Sequence, residues 1–198
     1  HKLLELMKIL SRIPLPSHEC SKSDRLLGQL LLTGVPGSEL DPETARRFKA
    51  LQPGGFILFG RNIKSPEQLR KLIDDLRDLS EIEPFIAIDQ EGGRVSRLRL
   101  IGSEPPNAQQ LRQKGDLKQV EEHGRLTGQI LRMFGFNLDL CPVLDLSFDD
   151  EADNSLKGRC WGDESRHWNE PFKRSTIFSW TPVVRHGRHG WRSSGGAA

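Results

Sequence analysis

Residues 54–91 read G-G-F-I-L-F-G-R-N-I-K-S-P-E-Q-L-R-K-L-I-D-D-L-R-D-L-S-E-I-E-P-F-I-A-I-D-Q-E and hold one complete strand–helix–strand repeat. The glycine pair is followed by Phe56-Ile57-Leu58-Phe59, a short unbroken apolar run of the kind that forms a strand buried on both faces. Ser65-Pro66-Glu67-Gln68 then starts a helix. Ser is a good N-cap, Pro suits the first helical position, and Gln three residues after the cap completes a capping box. Leu69, Leu72, Ile73, Leu76 and Leu79 fall on one stripe of that helix. Phe85-Ile86-Ala87-Ile88 is a second buried strand, and the spacing between the two strands, roughly 30 residues, is that of a βαβ unit.

The same alternation extends outward. Leu30-Leu31-Leu32-Thr33 reads as a strand, and Asp41-Pro42-Glu43 caps a helix carrying Ala45, Phe48 and Leu51. Downstream, Val120, Thr127, Ile130, Leu131 and Phe134 share a helical face, Gly135 ends the helix, and Phe136-Asn137-Leu138-Asp139-Leu140 begins another strand. Alternating buried strands and helices make an α/β chain with a parallel sheet. An open doubly wound sheet and a closed (β/α)8 barrel both fit. Gly92-Gly93 is too short for the glycine-rich phosphate loop of the former, and arginines follow it at 94, 97 and 99.

In either architecture, function sits at the carboxyl ends of the strands. Those ends carry Arg61-Asn62, Asp89-Gln90-Glu91 and Asp145. Asp89 and Glu91 are two apart, so in an extended segment they point to the same side. A carboxylate pair suits glycoside cleavage by an acid and a nucleophile or base. It equally suits bidentate binding of sugar hydroxyls, or plain capping of loop amides. Asp145 fits either a loop-orienting role or an Asx turn, and Arg159, in a loop rich in Asp and Asn, fits a ligand contact or an ordinary surface arginine.

Composition narrows the class. The chain has 198 residues, 29 basic and 27 acidic, and no apolar run approaches the roughly 18 residues of a membrane span. No membrane partner is expected. The basic excess is local: residues 166–198 hold six basic residues and one acidic, net +5, whereas residues 1–165 are net −3. This tail also carries three of the four Trp and three of the six His. Its composition would suit nucleic acid, but it has no helical or strand period, and a structureless terminus accounts for it as well, so no nucleic-acid partner is expected. His186 and His189 lack a third ligand at a recognisable spacing, so no metal or other cofactor is expected. Lys2, Glu5, Lys8 and Arg12 interrupt the first apolar stretch, unlike a secretory leader, and three scattered cysteines fit a reducing compartment.

Four segments occur in a telling order: P-G-G-F-I-L-F-G-R-N-I (53–63), F-I-A-I-D-Q-E-G-G-R-V-S-R-L (85–98), F-N-L-D-L-C-P-V-L-D-L (136–146) and N-S-L-K-G-R-C-W-G-D (154–163). Together they resemble the N-terminal domain of glycoside hydrolase family 3, in its β-N-acetylhexosaminidase branch. The resemblance covers roughly residues 24–165 and implies a (β/α)8 barrel and a retaining hydrolase of β-linked N-acetylglucosamine, in bacteria a cytoplasmic enzyme of cell-wall recycling. By the same resemblance Asp89 and Arg159 are substrate-binding residues, which argues against an acid–nucleophile pair at Asp89 and Glu91. Trp161 stands where Phe is commoner.

The family's Lys-His-Phe-Pro-Gly strand, its Asp–His acid/base pair and its Asp nucleophile have no counterpart in the sequence, so no catalytic residue is assigned. A (β/α)8 barrel takes about 250 residues, and the matched part supplies roughly the first four β/α units. The expected organisation is therefore an N-terminal extension over 1–23, a partial barrel over 24–165 and a basic tail over 166–198. A frameshifted or chimeric end would explain the change of charge. Half a barrel has two open edges, so self-association and loss of glycosidase activity are expected, leaving a non-catalytic carbohydrate-binding or interaction module as the alternative.

Overall fold

The structure, a computed structural model, describes residues 26–143, 145, 149 and 154–161. The expectations for the N-terminal extension, the basic tail, His186 and His189 lie outside the described residues.

Strand β1 (Leu32–Gly34) is followed by helix α1 (Pro42–Leu51), strand β2 (Gly55–Leu58), helix α2 (Pro66–Asp78) and strand β3 (Phe85–Ile88). Helices α3 (Ala108–Lys114) and α4 (Leu117–Phe134) then lead to strand β4 (Leu138–Asp139). The strands form one sheet in the order β1-β2-β3-β4 with every neighbour parallel. Thr33 lies beside Phe56 and Phe56 beside Ile86, while Leu58, Ile88 and Asp139 align one strand end after another. This is the α/β architecture of a partial (β/α)8 barrel: each strand returns to the sheet through a helical crossover.

Local chemistry sets the helix ends. The Asp41 carboxylate accepts the Glu43 and Thr44 N–H groups at 3.0 Å each, and Pro42 supplies the first turn of α1. Ser65 Oγ accepts Gln68 N–H at 3.1 Å at the start of α2. The reciprocal half of the expected capping box does not form. Gln68 Oε1 instead accepts Lys64 N–H at 2.7 Å, and its amide donates to the Asn62 and Ser38 carbonyls. The side chain ties the helix to the β1 and β2 loops, which a sequence motif does not foresee. Gly135 closes α4 in the left-handed conformation at φ 99°, where a Cβ is strained.

The stripe of α2 buries as expected: Leu69, Leu72, Ile73 and Leu76 lie against Phe56, Leu58, Ile86 and Ile88 of the sheet. Phe48 of α1 meets Phe56 with ring centroids 5.0 Å apart. Arg77 of α2 donates to the Gly135 carbonyl at 2.6 Å, and Arg70 to the Met133 carbonyl at 3.1 Å, fastening α2 to the end of α4. A second, smaller core joins Ala108, Leu111, Val120 and Trp161.

Several expectations are corrected. The first strand begins at Leu32 rather than Leu30, because Leu30 and Leu31 lie in a turn closed by the Leu31 N–H to Gly28 O bond and are exposed. Phe85 opens β3 exposed rather than buried. The buried face of α4 is Val120, Gly124, Gly128 and Leu131, and Ile130 is turned to solvent, because the helix packs through Leu131 on the main core and through Val120 on the smaller one. The last strand is limited to two residues.

Candidate functional site

The carboxyl ends of β2, β3 and β4 converge on one group of charged side chains. At the end of β2, Phe59 carries the Arg61 guanidinium 4.7 Å from its ring centroid and that of Arg97 at 5.8 Å. Asn62, expected at the rim, is a structural residue. It is fully buried, donates to the Val35 and Gly37 carbonyls at 3.0 and 2.6 Å, and accepts Phe59 N–H at 2.9 Å. Burial lowers the pKa of Arg61 from its usual value.

After β3 the backbone does not stay extended. Gly92 and Val95 pair across a tight turn, with Gly92 at φ 100°, where a Cβ would fall 2.2 Å from the Pro106 carbonyl oxygen. The turn brings residues 94–98 back beside 89–91. Gln90 pins it: Nε2 donates to Ser96 Oγ at 3.0 Å, and Oε1 accepts the Arg97 and Leu98 N–H groups at 2.9 and 3.1 Å. Arg97 Nη2 thereby reaches Asp89 Oδ2 at 3.0 Å.

Glu91 faces a different partner. Its two carboxylate oxygens accept Arg159 Nε–H and Nη2–H at 2.7 Å each, a bidentate pair spanning 68 residues of sequence. Arg159 Nη1 also donates to the Ser155 carbonyl at 3.0 Å. The loop bearing Arg159 is anchored by Trp161 and Cys160, both buried, and by Arg94 Nη1, which donates to the Asn154 carbonyl at 3.2 Å. The hydrogen bonds to Glu91 hold the Arg159 guanidinium more firmly protonated than usual, against the cost of its burial, and Asp89 is near enough to add to the effect.

The structure thus brings the two sequence-predicted residues, Asp89 and Arg159, near enough to interact and pairs them with Arg97 and Glu91 respectively. Asp89 and Glu91 take different partners: the turn at Gly92 returns Arg97 to Asp89, and Arg159 from a separate loop pairs with Glu91. Asp145 is exposed and is not the polar group that the fourth strand contributes. That group is Asp139, which sequence reading passed over; the only signal was a lone carboxylate inside the apolar run 136–140. Asp139 Oδ1 accepts Gln90 N–H at 3.0 Å. Burial, and then the Asp89 and Glu91 charges, push its carboxyl up to about 7, although the Gln90 N–H favours the charged form. Burial also pushes the neighbouring Cys141 thiol up, with Asp139 next in importance, so the thiol stays protonated. No group of three or more His, Cys, Asp or Glu among the described residues is arranged to hold a metal.

Chemically, the cluster offers hydrogen-bond acceptors and donors side by side. Among the described residues Asp89 Oδ1 has no donor, and Arg159 keeps one N–H on each of Nη1 and Nη2. A carboxylate beside a guanidinium is suited to vicinal hydroxyls, one donating and one accepting.

The family model described as Glycosyl hydrolase family 3 N terminal domain matches residues 23–170. The chain is 37% identical over 127 residues to a β-hexosaminidase of Photobacterium profundum, covering 64% of this chain and 38% of that protein. A β-hexosaminidase of Methylobacillus flagellatus is 35% identical over 136 residues, 62% of this chain and 36% of the relative. The chain therefore spans little more than a third of the length of these relatives. Among solved structures, a family 3 β-N-acetylglucosaminidase from a Paenibacillus species superposes with a TM-score of 0.73 at 27% identity, covering 81% of this chain and 31% of that one. NagZ from Neisseria gonorrhoeae, in complex with N-trifluoroacetyl-D-glucosamine, superposes with a TM-score of 0.66 at 25% identity, covering 75% and 44%. With the family model matched over residues 23–170 and the fold shared with solved members, the chain belongs to glycosyl hydrolase family 3, within its N-terminal domain.

Proposed function

We propose that this chain contributes the saccharide-binding rim of a retaining β-N-acetylhexosaminidase, and that its ligand is a β-linked N-acetylglucosamine residue of a cell-wall sugar. Asp89 accepts from a sugar hydroxyl through its free oxygen, and Arg159 donates to a neighbouring oxygen through its two remaining N–H groups. The observation that carries this reading is the convergence of Asp89, Arg97 and Arg159 at the carboxyl ends of the strands, with Arg159 supplied from a loop remote in sequence. The relatives named β-hexosaminidase and the neighbour bound to an N-acylated glucosamine support the choice of sugar.

As these 198 residues the protein is expected to bind the sugar without cleaving it: the family's Lys-His-Phe-Pro-Gly strand has no counterpart in the sequence, and Glu91 gives both carboxylate oxygens to Arg159. Titration of the chain with N-acetylglucosamine, followed by nuclear magnetic resonance, is expected to shift resonances of residues 89–97 and 159. Asp89→Ala is expected to abolish the shifts. Equal response to glucose, or none in the unaltered chain, refutes the assignment. Turnover of a chromogenic N-acetylglucosaminide near the common enzymatic rate of ~10 per second refutes the absence of cleavage.

Two further parts of the proposal concern context. The three cysteines of the sequence, few and scattered, support a cytoplasmic location, to be checked by cell fractionation. Exposed Leu30, Leu31 and Leu32 beside β1, which among the described residues pairs with a strand on one side only, support self-association of the chain. Sedimentation at increasing concentration is expected to show it, and a monomer throughout refutes it.

A further inference from the structure

We infer that Glu91 is a positioning residue for the sugar site: it fixes the plane and direction of the Arg159 guanidinium, and it takes no part in proton transfer or nucleophilic attack. The inference deepens the proposed function and rests on its reading of Arg159.

The geometry separates the holder from the held. Glu91 is the more buried partner, its side chain 8% exposed against 26% for Arg159. Its own backbone is fixed, since Glu91 N–H donates to Val95 O at 2.9 Å within the turn that Gly92 makes possible. Arg159 lies on a loop of turns and depends on side-chain anchors for its place. A guanidinium has five N–H groups in one plane. Glu91 takes Nε–H and one Nη2–H, and Ser155 O takes one Nη1–H. The two that remain, one on each terminal nitrogen, are then directed away from Glu91. Two parallel hydrogen bonds fix a rotation that a single bond leaves free, which is why the bidentate form orients as well as attracts. An arginine on a long flexible stem would otherwise lose rotamer freedom on each binding event.

The same geometry excludes Glu91 from chemistry. An acid or nucleophile must direct an oxygen lone pair or a proton at the reacting atom. Both oxygens of Glu91 face the guanidinium at 2.7 Å.

The experiment uses the full chain and has a readout that needs no sugar. In the unliganded protein the Arg159 Nε–H, donated to a carboxylate, is expected as a separate, slowly exchanging resonance in a nitrogen–proton correlation spectrum, identified by its absence from Arg159→Ala. Glu91→Gln is expected to erase it while the backbone amide spectrum outside 89–97 and 154–161 is kept. N-acetylglucosamine affinity is then measured in the unaltered chain, Glu91→Gln, Arg159→Ala and the double variant. The expected result is about tenfold weaker binding in Glu91→Gln, the size of a lost hydrogen bond to a charged group, and no further loss when it is added to Arg159→Ala. Glu91→Asp, which keeps the charge one methylene shorter, is expected to bind between the two.

Three results overturn the inference. One is an Arg159 Nε–H resonance that Glu91→Gln leaves in place. Another is unchanged affinity in Glu91→Gln where Arg159→Ala is impaired, a result that leaves the sugar reading of Arg159 standing. The third is an equal loss from Glu91→Gln with and without Arg159, which marks an effect on the fold alone. Unaltered affinity in Arg159→Ala removes the proposed role of Arg159 and this inference with it.

Discussion

Replacing Asp139 by Asn is expected to stabilise the protein at neutral and alkaline pH and to have little effect in acid. Asp139 accepts Gln90 N–H at 3.0 Å at the end of β4, where burial and the charges of Asp89 and Glu91 raise its carboxyl to about 7 from 3.8. A carboxyl that binds its proton more tightly when folded stabilises the fold fully below the unfolded value, near 3.8. That contribution is lost as pH rises toward 7, because folding must then hold a charge that the unfolded chain carries at no cost. At about 1.36 kcal/mol per pH unit, the interval corresponds to roughly 4 kcal/mol, and about 2–4 kcal/mol is the expected effect. Asn keeps the oxygen that meets Gln90 N–H and cannot ionise. Urea unfolding of the two proteins at pH 4, 5.5, 7 and 8 isolates the group, since other titrations cancel in the difference. The gap is expected to be near zero at pH 4, to open between 4 and 7, and to stay constant above. A gap that does not vary with pH, or an Asn variant less stable at pH 8, refutes the reasoning. Loss of the Asp139 charge is also expected to bring the Cys141 thiol down toward its ordinary value, read by the pH dependence of thiol alkylation.

Other expectations concern the supports of the site. Asn62→Ala removes two donors to the Val35 and Gly37 carbonyls and the acceptor of Phe59 N–H; roughly 2–4 kcal/mol is expected in denaturant unfolding, and a loss under 1 kcal/mol contradicts its structural role. Trp161→Ala empties the smaller core beside Ala108, Leu111 and Val120 and is expected to cost about 3–5 kcal/mol, with faster amide exchange at 158–161, whereas Trp161→Phe is expected to cost much less. Gly92→Ala places a Cβ 2.2 Å from the Pro106 carbonyl at a left-handed φ; reduced stability and disruption of the Asp89–Arg97 pair are expected, visible as shifted amide resonances over 89–98.

Much of the architecture was legible because it rests on short-range rules. The stripe Leu69-Leu72-Ile73-Leu76 faces the sheet because helical geometry places residues three and four apart on one side. The caps at Asp41 and Ser65 form because neighbouring backbone donors need acceptors. Asp89 and Arg159 were named from motifs and do meet in one cluster. What escaped was contact between distant segments. Gln68 satisfies the three constraints of the β1–β2 side rather than its own cap. Asp139 looks like an ordinary strand residue until Gln90, Asp89 and Glu91 surround it.

The amino-acid sequence by itself determined that strands and helices alternate, where most of them begin and end, and which family's motifs they carry, since periodicity, capping and turn chemistry act over a few residues. Which carboxylate pairs with which arginine was decided only by tertiary structure. The turn at Gly92 returns Arg97 to Asp89, and a loop 68 residues along the chain from Glu91 delivers the guanidinium that Glu91 holds. Charge pairing depends on distance and burial in space, and neither is a property of separation along the chain.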